Sequence, residues 1–281
     1  YRIVGCRAEA EDIVHDVYLK WSAADKSSLK SPKSWLTKVV TNLSLDVLKS
    51  ARVKRESYFG PWLPEPFIDP KKSIEEERAL DQSISMALLM MLERLSPSER
   101  AVFVLHDIFH FSFDEIATML EVTPATCRKQ ASRAREKVTK NAIRQEITHH
   151  QHQSYVQAFL DAVKHGDVAG LQNMLQEDVI LYSDGGGKVA AAPAPVSGAK
   201  KVANFLLYYV RPNFETTDDG QFTTGFCEFN GAPGLIVTAM KNGSRQVVTA
   251  FQLTIVENRV QHIFAHRNPD KLKYFEVNRV C

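Results

Sequence analysis

Apolar positions recur along this chain in two rhythms, and the change falls near Ile147. Up to that point the spacing is helical. From Ala8 to Trp21, Ile13, Val14, Val17 and Trp21 form one stripe, while Asp12, His15, Asp16 and Leu19 share another face at i, i+3, i+4, i+7. A second helix is predicted from Pro32, with Ser31 as N-cap and the proline at the first helical position, where its missing N–H costs nothing. Leu36, Val39, Val40, Leu43 and Val47 are its expected core stripe; Lys38, Asn42, Lys49, Arg52, Lys54 and Arg55 are left outward. Tyr58 to Pro70 cannot be helical, because Pro61, Pro64, Pro66 and Pro70 break it and bias their predecessors to extended backbone. Trp62, Leu63 and Phe67 are nevertheless apolar, so this linker is expected to dock on a surface. A helix from Ser73 to Leu95 follows, and Ser96-Pro97 opens another that runs to Phe109.

Phe113 to Val138 reads as two short helices joined by a tight turn. Ile116, Ala117, Met119 and Leu120 supply the inner face of the first, and Val122 is expected as a buried turn residue. Thr123 is the predicted N-cap of the second and Pro124 its first residue. Ala125, Cys127, Ala131 and Ala134 are the inward candidates there; Arg128, Lys129, Ser132, Arg133 and Arg135 remain outward. A helix-turn-helix that reads DNA needs this layout, a packed first helix and a second whose exposed face suits phosphates and base edges. The pattern also fits an ordinary helical hairpin with a solvated basic face.

Beyond Ile147 helices give way to strands. Tyr155–His165 carries Val156, Phe159, Leu160 and Val163 on one face, and Ala169–Leu175 follows. Strands are predicted at Val179–Tyr182, Phe222–Phe229, Leu235–Lys241, Gln246–Val256 and Val260–Ala265, with a further helix at Val202–Val210. Asp184 and Gly185–Gly187 read as a turn. This order predicts an α+β domain whose sheet curves around a pocket.

At 281 residues the chain exceeds one typical domain. No apolar run of about 18 residues spans a membrane, no secretory signal is visible, and Cys6, Cys127, Cys227 and Cys281 lack metal-ligand spacing. Reduced thiols, a cytoplasmic location, no metal and no cofactor are therefore expected. The first residue is Tyr1 and not Met, so residues upstream are expected. The net charge of +2 hides a pattern. Lys26–Arg55 holds eight basic residues against one acidic, and Thr123–Glu146 seven against two. Glu56–Asp81 reverses this with seven acidic against three basic, while residues 149–281 carry twelve of each sign. Two basic islands around an acidic linker suggest two contacts on one nucleic acid.

Together these residues resemble the extracytoplasmic-function group of sigma-70-type transcription initiation factors. Ala8–Trp21 is similar to their region 2 helix that binds the polymerase clamp. Ser31–Glu56 is similar to the helix that reads and helps melt the −10 element, and Leu95–Val138 to region 4, whose helix-turn-helix reads the −35 element. The last block resembles SnoaL-like domains of the NTF2 superfamily, which a subfamily of these factors fuses to region 4. That subfamily carries a WLPEP linker and a DGGGK loop, present here as Trp62, Leu63, Pro64, Glu65, Pro66 and as Asp184, Gly185, Gly186, Gly187, Lys188. A third signature is matched by Asn268, Pro269, Asp270, Lys271 and Leu272. The helix that usually opens region 2 is absent, and Glu121 stands where such turns often carry glycine; a glutamate there suits right-handed backbone.

The resemblance implies a multidomain chain: region 2 over 1–57, the linker over 58–82, region 4 over 83–146 and a SnoaL-like α+β cone over 147–281. It implies core RNA polymerase and promoter DNA as partners. Asp12, His15, Asp16 and Leu19 would face the polymerase. Lys30, Lys33, Lys38, Asn42, Lys49, Arg52, Lys54 and Arg55 would serve −10. Thr123, Thr126, Arg128, Lys129, Ser132, Arg133 and Arg135 would serve −35. The three signatures would meet in an interdomain contact that regulates the factor in cis, with a small-molecule ligand in the cone as a further partner. The rival reading is a DNA-binding regulator whose SnoaL-like domain senses a ligand or acts as a cyclase or isomerase, through Asp184, His262 or His266. No convincing acid–base pair is visible among them, so no catalytic residue is expected.

Overall fold

The computed structural model describes residues 1–29, 31–68, 85–139, 148–213, 222–241 and 243–275. The chain divides into two compact units, one of 1–57 with 88–142 and the other of 58–87 with 143–281.

The first unit is helical. Its elements are α1 (Arg7–Ala23), α2 (Pro32–Glu56), α3 (Met86–Leu92, which joins this unit from Leu88), α4 (Pro97–Phe103, prolonged by a wide turn Val104–Ile108), α5 (Phe113–Leu120) and α6 (Pro124–Thr139). The caps form where the sequence places them. Ser31 Oγ accepts the Ser34 N–H at 3.3 Å. Ser96 with Glu99 closes a reciprocal capping box, and Ser112 with Glu115 closes a second that the apolar pattern did not mark. Thr123 Oγ1 accepts the Thr126 N–H at 3.2 Å.

One apolar core joins the two ends of this unit. Ile3, Val4, Ile13, Val17 and Leu48 pack with Leu89, Leu92, Leu95, Phe103, Val104 and Ala134. A smaller core of Val102, Leu105, Ile116, Ala117, Cys127 and Ala131 holds α5 on α6.

Several expectations are corrected. Val14 is 65% exposed and stands outside the α1 stripe. On α2 the buried line is Thr41, Ser44 and Leu48, while the expected stripe of Leu36, Val39, Val40, Leu43 and Val47 is half-buried beside it and packs against the same core. Val122 and Ala125 are exposed. Glu121 is left-handed (φ 57°, ψ 42°), not right-handed, and its N–H closes α5 on the Ala117 carbonyl. Most of the helix expected over Ser73–Leu95 lies outside the described residues.

The second unit is α+β: α7 (His149–His165), α8 (Val168–Met174), β1 (Leu175–Asp184), β2 (Val196–Ser197), α9 (Ala199–Phe205, continued by a wide turn to Val210), β3 (Phe222–Phe229), β4 (Ala232–Lys241), β5 (Ser244–Val256), β6 (Arg259–His266) and α10 (Pro269–Leu272). Leu175 opens β1 and does not end α8, Val202–Val210 is only partly α-helical, and the short β2 escaped the pattern. The strand order is β2-β1-β6-β5-β4-β3; β1 and β6 are parallel and the other pairs antiparallel. Register shifts in β1, at Val237/Thr238 and at Thr254/Ile255 bend the strands.

Alternation sorts the side chains onto two faces. The helix-side face is filled by Val156, Phe159, Leu181, Phe251, Leu253 and Ile263 with their apolar neighbours. The opposite face carries Phe229, Ile236, Val247 and Ala250, covered by Leu272, Phe275 and Ile68 of the linker.

Candidate functional site

The helix-turn-helix presents an open basic face. Ile116 and Ala117 below, and Cys127, Ala131 and Ala134 within α6, are buried. Arg128, Lys129, Ser132 and Arg133 therefore project outward together, exposed. The Arg128 guanidinium lies 5.8 Å from the Phe113 ring centre. Thr123 is exposed and caps α6, with its hydroxyl 2.9 Å from that of Thr126, which is half-buried. Arg135 is tied to Asp107 at 2.7 Å. The geometry leaves these four side chains exposed on one face and gives Arg135 an acidic partner.

On α2, Asn42 and Lys49 are exposed, and Lys49 pairs with Asp46 at 3.2 Å. Lys38 reaches Glu121 in the helix-turn-helix turn at 2.9 Å, and Lys33 lies 5.8 Å from the Phe111 ring centre. Two proposed −10 side chains thus face the other half of the unit. Lys30 and the side chains of Arg52, Lys54 and Arg55 lie outside the described residues. On α1, Asp12, His15, Asp16 and Leu19 are exposed on one surface. Val14 and Tyr18, at 65% and 64% exposure, add apolar area beside Leu19 that periodicity had assigned inward or ignored.

The second unit brings the three signature peptides together. Asp184, at the end of β1, is wholly buried. Its Oδ1 accepts the Tyr58 hydroxyl at 2.6 Å and the Gly186 N–H at 3.0 Å. Its Oδ2 accepts the Leu63 N–H at 2.9 Å and the Lys271 ammonium at 2.7 Å. Lys271 also donates to the Leu63 carbonyl and stands 4.2 Å from the Trp62 ring centre. Asn268 Nδ2 donates to the Tyr58 hydroxyl at 3.0 Å, and Asn268 Oδ1 caps α10 through the Asp270 N–H. Burial pushes the Tyr58 phenol up, and the Asp184 carboxylate beside it pushes further, so Tyr58 stays a donor.

The glycines of the loop have separate reasons. Gly186 sits at φ +61°, and a Cβ there would lie 2.3 Å from Asn268 Nδ2; a Cβ on Gly185 would lie 2.4 Å from the Val189 carbonyl. Lys188 turns outward to Asp270 at 2.5 Å. Leu63, Pro64, Glu65 and Pro66 are buried. A second latch holds the next part of the linker: the Asn230 N–H donates to the Phe67 carbonyl at 2.8 Å, and Asn230 Oδ1 accepts the Phe67 N–H at 2.9 Å. Sequence reading missed Tyr58 and Asn230. Asn230 and Gly231 form the turn between β3 and β4, both at positive φ, and nothing local in that turn names the linker as a partner.

The three acid–base candidates do not line the helix-side face. Asp184 is spent on the linker. His262 stacks with Phe264 and Tyr182 on the other face. His266 is fully buried with no partner for either ring nitrogen among the described residues; burial lowers its pKa to about 3, although the Asp184 carboxylate opposes this. Among the described residues no cluster of His, Cys, Asp or Glu could hold a metal ion. No helix there is long and apolar enough to cross a membrane.

Residues 1–53 match the Sigma-70 region 2 family and residues 85–138 the Sigma-70 region 4 family. The ECF RNA polymerase sigma factor SigJ of Mycobacterium tuberculosis is 37% identical over 214 residues, covering 75% of this chain and 68% of that protein. A probable ECF RNA polymerase sigma factor, SigI, of the same species is 35% identical over 213 residues, covering 74% and 70%. The crystal structure of M. tuberculosis SigJ superposes with a TM-score of 0.74 at 30% identity, covering 96% of this chain and 92% of that one. The chain belongs to the extracytoplasmic-function sigma factors, which bind core RNA polymerase and direct promoter recognition and transcription initiation.

Proposed function

We propose that this sigma factor is regulated in cis by its α+β unit, which acts on the linker and not on a substrate. The carrying observation is the buried Asp184–Lys271 pair, which grips the backbone and rings of Tyr58–Leu63. The linker lies in sequence between the two promoter-reading regions, so whatever holds or frees it sets how those regions move. A packed helix-side face, and an Asp184 engaged in structural bonds, support a non-catalytic role.

The first unit supports a closed resting form. Elements at −10 and −35 lie about 25 base pairs apart, roughly 85 Å at 3.4 Å per pair. A compact body of about 110 residues has a radius of gyration near 13 Å. With α2 and α6 in one such body, the two elements cannot be read together. Binding of core polymerase through Asp12, Asp16, Val14, Tyr18 and Leu19 would open the unit, provided polymerase prefers the open form. Arg128, Lys129, Ser132 and Arg133 would then enter the −35 major groove, with Thr123, Thr126 and Arg135 at its edge. Lys33, Lys38, Asn42 and Lys49 would serve −10, and the work is cytoplasmic.

The test is transcription with purified core polymerase on one promoter template, comparing the native protein with Asp184→Asn and Lys271→Met. Freeing the linker should change transcript yield at least several-fold while both variants remain folded. Equal yields from folded variants would contradict regulation by the clamp.

A further inference from the structure

The outer sheet face of the second unit holds a cavity that the sigma-factor reading leaves unused. It measures about 740 Å³, within the range of small-molecule sites. Lys241, Arg245, Arg267 and Lys273 line it, and no Asp or Glu is among its lining residues within the described part of the chain. Its apolar wall comes from Val247, Leu272 and Phe275, members of the outer-face core. The cations differ in how they are held. Arg245 Nη1 donates to the Thr223 and Thr238 hydroxyls at 2.7 and 3.2 Å, which orients the guanidinium. Arg267 Nη1 donates to the Ala190 carbonyl at 2.6 Å, while its Nε is buried without a partner among the described residues. Burial pulls the Arg267 pKa below its usual value, because the charged guanidinium is partly removed from water. Lys241 and Lys273 are exposed at the rim.

Guanidinium groups and ammonium groups converging on a partly apolar chamber are the chemistry that recognises a carboxylate or phosphate. The apolar wall calls for an aliphatic or aromatic body behind that head. We infer that this cavity binds an organic anion, a phosphate or carboxylate carried on an apolar body. Its walls belong to the segments that grip the linker: Val189 follows the glycine loop, and Pro269 and Leu272 flank Asp270 and Lys271. Occupancy therefore favours one state of the clamp over the other and couples ligand to promoter activity. Only this coupling rests on the cis-regulation reading; the binding site stands apart from it.

The experiment is calorimetric titration of the full chain with octyl phosphate and octanoate, beside octanol and inorganic phosphate as half-ligands. One or both amphiphilic anions should bind saturably and at least tenfold more tightly than either half-ligand; the tighter of the two assigns the head group. Lys241→Gln with Lys273→Gln, both at exposed positions, should weaken that binding about tenfold without changing the circular dichroism spectrum, and Arg267→Gln should weaken it further. Absence of saturable binding, octanol binding as well as the anions, inorganic phosphate binding as well as octyl phosphate, or unchanged affinity in the folded double-lysine variant would each overturn the site. If binding behaves as expected but transcription with core polymerase does not respond to the anion, the site holds and the coupling fails.

Discussion

Asp184 concentrates more of the second unit's specific bonding than any apolar residue near it. A buried carboxylate with one cation and three neutral donors is stable only while all four remain. Asp184→Asn removes the charge opposite Lys271 and is expected to lower the unfolding free energy of this unit by roughly 2–4 kcal/mol, read from chemical denaturation. A loss below about 0.5 kcal/mol, the level of an ordinary surface change, would contradict the buried-pair assignment. His266 and His152 bring a pH dependence. Burial holds their folded-state pKa values at about 3 and about 4, below the ordinary 6.5. The unfolded chain therefore takes up protons first as pH falls. Their stabilisation is complete above pH 6.5 and is lost on acidification toward those lower values, by up to about 1.4 kcal/mol per pH unit for each proton. Stability measured from pH 7 to pH 4.5 should fall, and His266→Leu should flatten that slope by one proton; an unchanged slope would be the contrary result. At this scale the signature peptides were legible, because Asp184, Gly186, Asn268 and Lys271 lie within them. Tyr58 and Asn230 were not, because their partners are distant in sequence and nothing local marks the pairing.

Helix periods and caps made most elements readable. Ser31, Ser96 and Thr123 cap helices where their side chains said they should. Faces were harder. The stripe on α1 included Val14, which is exposed, and that on α2 passed over Thr41 and Ser44, which are buried. Periodicity counts apolar residues and is blind both to small polar residues at close helix contacts and to apolar residues left out for a partner. The α6 face carries the element-scale expectation. Arg128→Ala and Arg133→Ala should each cost about 1–3 kcal/mol at one −35 position and relax preference there, whereas Lys49→Ala should weaken all sequences alike. Binding of the polymerase complex to a promoter library measures both effects. Unchanged −35 preference in both arginine variants would remove α6 from the groove.

For the whole molecule, the order of domains was readable from charge blocks and peptide signatures, but the tertiary grouping was not. Nothing local announces that Leu48 of α2 and Phe103 of α4 belong to one core, or that β1 pairs in parallel with β6. Such pairings close long loops and are decided by packing elsewhere in the chain. On the closed-form proposal, that shared core is what opens for two separated promoter elements to be read at once. The most direct measurement is initiation by purified core RNA polymerase on promoter DNA, mapped to the nucleotide, with and without this protein. Adding the protein should produce transcripts from defined start sites that neither component yields alone. A start-site pattern and yield identical with and without it would contradict the account.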